Sequence, residues 1–182
     1  MTVRDEAALD GDDFDRRLSR LVMATADESD AGIDRAVQDV LCLVREHLQM
    51  DVAFVSHFEG GRRVFRNVDQ NVVPALIAVG DSHPLEESLC QHIIDGRLPE
   101  LVRDLSKVPT SAGLPTLPVR LGAHLNTTVV LRDGTVYGTL CCFSFAPNEN
   151  LAERDLKRLR MAAGMVARLI DKSNESASRA GP

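Results

Sequence analysis

Apolar residues recur at helical spacing in three stretches of this chain. Phe14, Leu18, Leu21, Val22 and Thr25 mark the first. The second begins at Asp30 and runs through Ile33, Val37, Val40, Leu41, Val44 and Leu48. The third follows Asn150, with Leu156, Leu159, Ala163, Val166 and Ile170 on one stripe and Arg or Lys elsewhere. A stripe of this width buries one face of a helix against a sheet or a second helix. Between them the period drops to two. Residues 51–58 set Val52, Phe54 and Phe58 against Ala53, Val55 and His57, and after Gly60-Gly61 the stretch 63–68 completes a hairpin. A second hairpin is predicted over 125–131 and 135–145, because Asp133-Gly134 suits the positive backbone angles of a tight turn. Leu101 and Val102 read as a short strand ending at Asp104. A helix is predicted over 85–95: Pro84 suits a first turn, Glu86 and Glu87 suit the positive end of the helix dipole, and Gly96 can close it.

Two hairpins framed by terminal helices imply an α+β fold, an antiparallel sheet with helices segregated to its faces. The length, 182 residues, suits one domain, and 44% hydrophobic with 26% charged residues is a globular balance. The acid-rich stretch 1–13 and the Ser-, Asn- and Ala-rich stretch 172–182 read as flexible tails around a single domain at 14–171. A net charge of −6 argues against nucleic acid as a partner. The longest apolar stretch, 72–79, contains Pro74 and is too short to span a membrane, and the acidic start lacks a signal core. A cytoplasmic location is therefore expected. The four cysteines are Cys42, Cys90, Cys141 and Cys142. No pair has the spacing of a zinc clamp, so reduced buried thiols and no metal are expected.

Three stretches taken in this order resemble a GAF domain, the small-molecule sensor module of signalling proteins. They are PLEESLCQHIIDGRLP at 84–99, LVRDL at 101–105, and 127–144, which contains VLRDGTVYGTL. The likeness spans roughly 30–170 and extends to GAF modules of bacterial cyclic-di-GMP signalling proteins. It implies a central antiparallel sheet with terminal helices on one face and a ligand pocket on the other, walled by the 85–95 helix and its loops.

The known GAF chemistries can be tested on the residues present. Bilin-binding members carry a Cys-His pair that would fall near Gly113-Leu114, where neither residue stands. Haem-binding members take a histidine from the loop that here spans 111–121, which has none; His124 falls later, at the start of a strand. The spaced polar set of cyclic-nucleotide binders cannot be assembled. No cofactor is thus assigned. Free methionine sulfoxide reductases share this fold and use up to three cysteines; Cys90 lies near one of those positions. A resolving thiol must come within disulfide reach, Cα to Cα below about 7 Å, and only Cys141 or Cys142 could supply it.

Six residues are candidate ligand contacts. Cys90 reads either as a small buried apolar residue or as a pocket-facing thiol. His83 lies in a loop that N-terminal capping explains equally well. His92 shares the helix of Cys90 but, two residues on, does not face it. Asp104 ends a strand and could cap a loop or orient a ligand amine. Tyr137 and Thr139 share a strand face with Cys141 under the period of two, and the Tyr137 hydroxyl needs a partner if buried. Cys141 and Cys142 must point to opposite faces. No GxSxG turn, phosphate loop or HExxH pattern occurs, so no catalytic residue is assigned. The expected function is a non-catalytic sensory domain that binds a small molecule and signals through a homodimer of terminal helices to an output domain or partner. Two alternatives stand beside it: a thiol-based redox sensor or reductase using Cys90, and a ligand-free interaction module.

Overall fold

The computed structural model describes residues 3–24 and 30–179. Thr25, placed on the first helical stripe, and the ends of the two predicted tails lie outside them. The elements run α1 (Val3–Ala24), α2 (Asp30–His47), β1 (Val52–Glu59), β2 (Arg62–Gln70), β3 (Ser82–Pro84), α3 (Leu89–Ile94), β4 (Leu101–Val102), β5 (Ala123–Val130), β6 (Val136–Ser144) and α4 (Glu153–Arg179). The stretch read as an N-terminal tail is helical from Val3, and the one read as a C-terminal tail is helical to Arg179. Acid-rich or small polar residues do not stop a helix whose next turns are anchored in a core. Among the described residues no helix is long and apolar enough to cross a membrane.

The six strands form one antiparallel sheet in the order β3-β2-β1-β6-β5-β4. Its alternation sorts the side chains cleanly. Ala53, Val55, Leu125, Val129, Leu140 and Cys142 turn to one face and pack on the helices, where Phe14, Leu18, Val40, Leu41, Leu159 and Val166 complete the main core. Val52, Phe54, Cys141 and Phe143 turn to the other face and form a second cluster with Phe65. The predicted separation of Cys141 from Cys142 follows from this pleat. The helical stripes expected on α1, α2 and α4 supply the buried faces: Leu156, Leu159, Ala163 and Val166 of α4 are all buried. The start of α4 is closed by Asp155, whose carboxylate accepts from the Ala152 amide at 2.8 Å.

Both hairpins form as the turn residues require. Gly134 has φ +85° between Asp133 and Thr135, and the Asp133 carboxylate accepts from the Thr135 amide at 2.8 Å. One irregularity alters the reading of β6. Val129 pairs with Gly138 but Val130 pairs with Val136, so Tyr137 is the extra residue of a β-bulge. Gly138 beside it is held against β1 so closely that a Cβ would sit 1.9 Å from the Ser56 carbonyl oxygen.

The predicted 85–95 helix is two pieces. A single 3-10 turn, Leu85–Glu87, is followed by Ser88 in extended conformation (φ −108°, ψ 150°), which caps the short α3. The Ser88 hydroxyl donates to the Leu85 carbonyl at 2.6 Å and accepts from the Gln91 amide at 3.3 Å. A serine that satisfies both turn and helix backbone breaks the continuous helix at that point. Pro84 is the end of β3, an edge strand in which the missing N–H costs nothing.

Candidate ligand site

α3 lies on the sheet face opposite the long helices. Leu89 of this segment packs with Leu98 and Val102, and around them stand Ile93, Leu105, Val108, Leu114, Leu117 and Leu121. His92 ties α3 to the long 105–121 connection: its Nε2 lies 2.8 Å from the Gly113 carbonyl and its Nδ1 3.1 Å from that of Ser88. A cleft of about 320 Å³ opens beside Leu89, lined by Leu105, Leu114, Pro115, Leu117 and Arg120 among others.

Beneath α3 the sheet carries polar rather than apolar side chains. Ser56, Asn126 and Thr139 have no solvent exposure, and His124 is buried beside them. Two of them, Asn126 and Thr139, reach the Cys90 sulfur, itself fully buried. Asn126 donates to it from Nδ2 at 3.2 Å, Thr139 from Oγ1 at 3.4 Å and Arg63 from Nη1 at 3.5 Å. The Thr139 hydroxyl also meets that of Ser56 at 2.9 Å. Cys141 pairs with Asn126 across β5 and β6, which sets its side chain on this same face of the sheet. Cys141 Sγ lies 3.1 Å from His124 Nε2. The Arg63 guanidinium covers the rings of Phe65 and Phe54, at 4.7 and 5.6 Å from their centroids.

This arrangement polarises the two thiols in opposite directions. The Cys141 hydrogen bond is the main influence holding the Cys90 thiol well below its usual range; burial opposes it, and Arg63 and Thr139 add to the lowering. Burial, then the hydrogen bond and charge of Cys90, push Cys141 well above that range. Burial also lowers His124 to about 4, so its imidazole is neutral at ordinary pH. The contact with Cys141 uses His124 Nε2, and Nδ1 has no protein partner.

Three buried polar atoms of this cluster have no protein partner: Arg63 Nε, His124 Nδ1 and Asn126 Oδ1. Such atoms are costly, about 1–3 kcal/mol each, unless something else satisfies them. The Arg63 atom is a donor and the Asn126 atom an acceptor.

The six predicted contacts divide sharply. Cys90 and Thr139 are brought together. His92 is buried with its ring nitrogens against the Ser88 and Gly113 carbonyls and Arg97 Nη1 3.2 Å from Nε2. His83 is exposed on edge strand β3 and meets the Phe65 ring edge-on at 5.9 Å. Asp104 caps a 3-10 turn, accepting from the Ser106 amide at 3.0 Å and hydroxyl at 2.6 Å. Tyr137 does not share the face of Thr139 and Cys141: the bulge turns it to the helix side, where it packs on the main core and stacks on His57 at 4.2 Å. Arg63, Ser56, His124 and Asn126 were not singled out as contacts. Their signal was polar residues at alternate positions inside otherwise apolar strands. Among the described residues no group of three His, Cys, Asp or Glu side chains is placed to hold a metal ion.

No protein-family profile and no curated protein matches the chain. Solved structures do. The GAF domain of an Acinetobacter phosphoenolpyruvate-protein phosphotransferase superposes with a TM-score of 0.68 at 18% identity, covering 92% of this chain and 95% of that one. The phycoerythrobilin-bound GAF domain of a cyanobacterial phytochrome gives 0.66 at 13% identity, over 92% and 97%. A free methionine-R-sulfoxide reductase from Neisseria meningitidis, in complex with its substrate, gives 0.69 at 14% identity, over 90% and 91%. At such identities the likeness is one of fold, and one fold hosts many functions. In its six-stranded antiparallel sheet, its layer of terminal helices and these superpositions, the chain has the fold of GAF domains.

Proposed function

We propose that this chain is a sensory module that binds a small polar molecule between the sheet and α3, and acts in the cytoplasm. The observation that carries the reading is the trio of unpartnered buried atoms on Arg63, His124 and Asn126. A fold that only packed its own side chains would place apolar residues there, as it does on the helix face. The ligand that fits offers an acceptor to the Arg63 N–H, a donor to Asn126 Oδ1 and a hydrogen-bonding group to His124 Nδ1. Binding would fix α3 and the 105–121 connection, which are joined through His92 and Gly113. The change would reach a partner or output domain through terminal helices α1 and α4, paired with those of a second copy. A ligand shifts such an equilibrium only by its preference for one state, and here the preference lies in satisfied buried polar groups.

Native mass spectrometry of freshly purified protein tests this, paired with the denatured mass. The expected result is excess mass that is lost on denaturation and absent from an Asn126→Leu variant. A clean protein mass, with no thermal shift from a panel of small polar metabolites, would overturn the reading and leave the interaction module.

A further inference from the structure

The cluster beneath α3 contains a second kind of chemistry. Two thiols from distant parts of the chain meet there: Cys90 on α3 and Cys141 on β6. The Asn126 amide and Thr139 hydroxyl fix the position of the Cys90 sulfur over the sheet. Asn126 is the direct cross-strand neighbour of Cys141, so the same contact that anchors Cys90 brings it to Cys141. The remaining cysteines are arranged otherwise. Cys142 faces the helix core, and Cys42 is on α2, where its thiol meets Glu46.

We propose that Cys90 and Cys141 form a dithiol that a hydroperoxide converts to an intramolecular disulfide, tethering α3 to the sheet. The geometry assigns the two roles. Cys90, surrounded by N–H and O–H donors, is the attacking sulfur, because such donors stabilise a thiolate. Its sulfur bonds to the distal peroxide oxygen, the O–O bond breaks, and the alkoxide or hydroxide that leaves takes up a proton. Cys90 is then a sulfenic acid, oxidised by two electrons. The Cys141 sulfur attacks the Cys90 sulfur, the S–O bond breaks, and the hydroxyl leaves with the Cys141 proton as water. Two thiols and one hydroperoxide give one disulfide, water and an alcohol or a second water.

The local structure supports this sequence. The hydrogen bond between His124 Nε2 and Cys141 Sγ holds that sulfur in place. α3 is only six residues long and rests on the Ser88 cap and the His92–Gly113 contact, so the segment bearing Cys90 can adjust to the shorter sulfur–sulfur separation of a bond. The proposal does not depend on the ligand reading, since it uses sulfur atoms and not the unpartnered trio.

The experiment treats the reduced full chain with hydrogen peroxide under native conditions, alkylates the free thiols, and maps the digest without reduction. The expected product has lost two hydrogens and links the Cys90 peptide to the peptide holding Cys141 and Cys142. The link survives Cys142→Ala and disappears in Cys141→Ser, where Cys90 instead gains one oxygen. The wild-type and Cys142→Ala maps decide the matter even where the serine variant fails to fold. Cys90 recovered as a free thiol after the peroxide has oxidised Cys42 would overturn the proposal. So would Cys90 halted as a sulfenic acid in the wild type, or a link that Cys142→Ala abolishes.

Discussion

Below neutral pH, His124 carries a pH dependence that can be tied to one residue. Burial holds its imidazole neutral down to about pH 4 in the folded chain, whereas an unfolded histidine takes up its proton near 6.5. The unfolded state therefore binds more protons between those values, and stability rises with pH across that window. The neutral-imidazole contribution is complete above pH 6.5 and is lost as pH falls through 6.5 towards 4. The span corresponds to about 3 kcal/mol. Replacing His124 with Gln should flatten this part of the curve, with the variant losing about 3 kcal/mol less than the wild type between pH 6.5 and 4 in denaturant titrations. Equal slopes would mean that His124 is solvated in the folded chain.

At the scale of elements, α3 is the piece whose existence depends on one side chain. A six-residue helix has no propensity to persist alone, and Ser88 supplies both its N-cap and the closure of the preceding turn. Ser88→Ala should cost about 1 kcal/mol of global stability. Its local effect should be larger: amide exchange over 89–94 and alkylation of Cys90 should both accelerate, while exchange in β5 and β6 is unchanged. Uniform acceleration across the sheet would show that α3 opens only with the whole fold. The hairpins behave differently, because Asp133-Gly134 and Gly60-Gly61 specify their turns locally. They were legible in the sequence for that reason. Pro84 suggested a helix start, but edge strand β3 and the Ser88 break depend on the partner strand β2 and on a hydroxyl choosing two backbone groups.

At the scale of the molecule, the sheet divides the chain into a packed helix face and a polar α3 face. The terminal-helix pairing proposed above must use the outer side of α4, because Ala163 on its stripe is buried within the protomer. An acidic substitution at Ala163 would therefore unfold the chain rather than separate two copies. Met161 lies outward, 46% exposed, and Met161→Glu should halve the mass measured by light scattering without changing the circular dichroism. An unchanged mass would remove α4 from the interface.

Periodicity and turn chemistry by themselves determined the three long helical stripes, the two hairpins, the α+β class and the opposite facing of Cys141 and Cys142. Each of these depends on neighbours in sequence or on the two-residue pleat. The site was decided by tertiary structure. Arg63, Cys90, His124, Asn126 and Cys141 lie on four different elements, and only the strand register together with the seat of α3 brings them to one point. A single inserted residue at the β6 bulge sufficed to move Tyr137 to the far face. Alternation propagates along a strand only while the ladder is regular, and it is the partner strand that sets where the ladder slips.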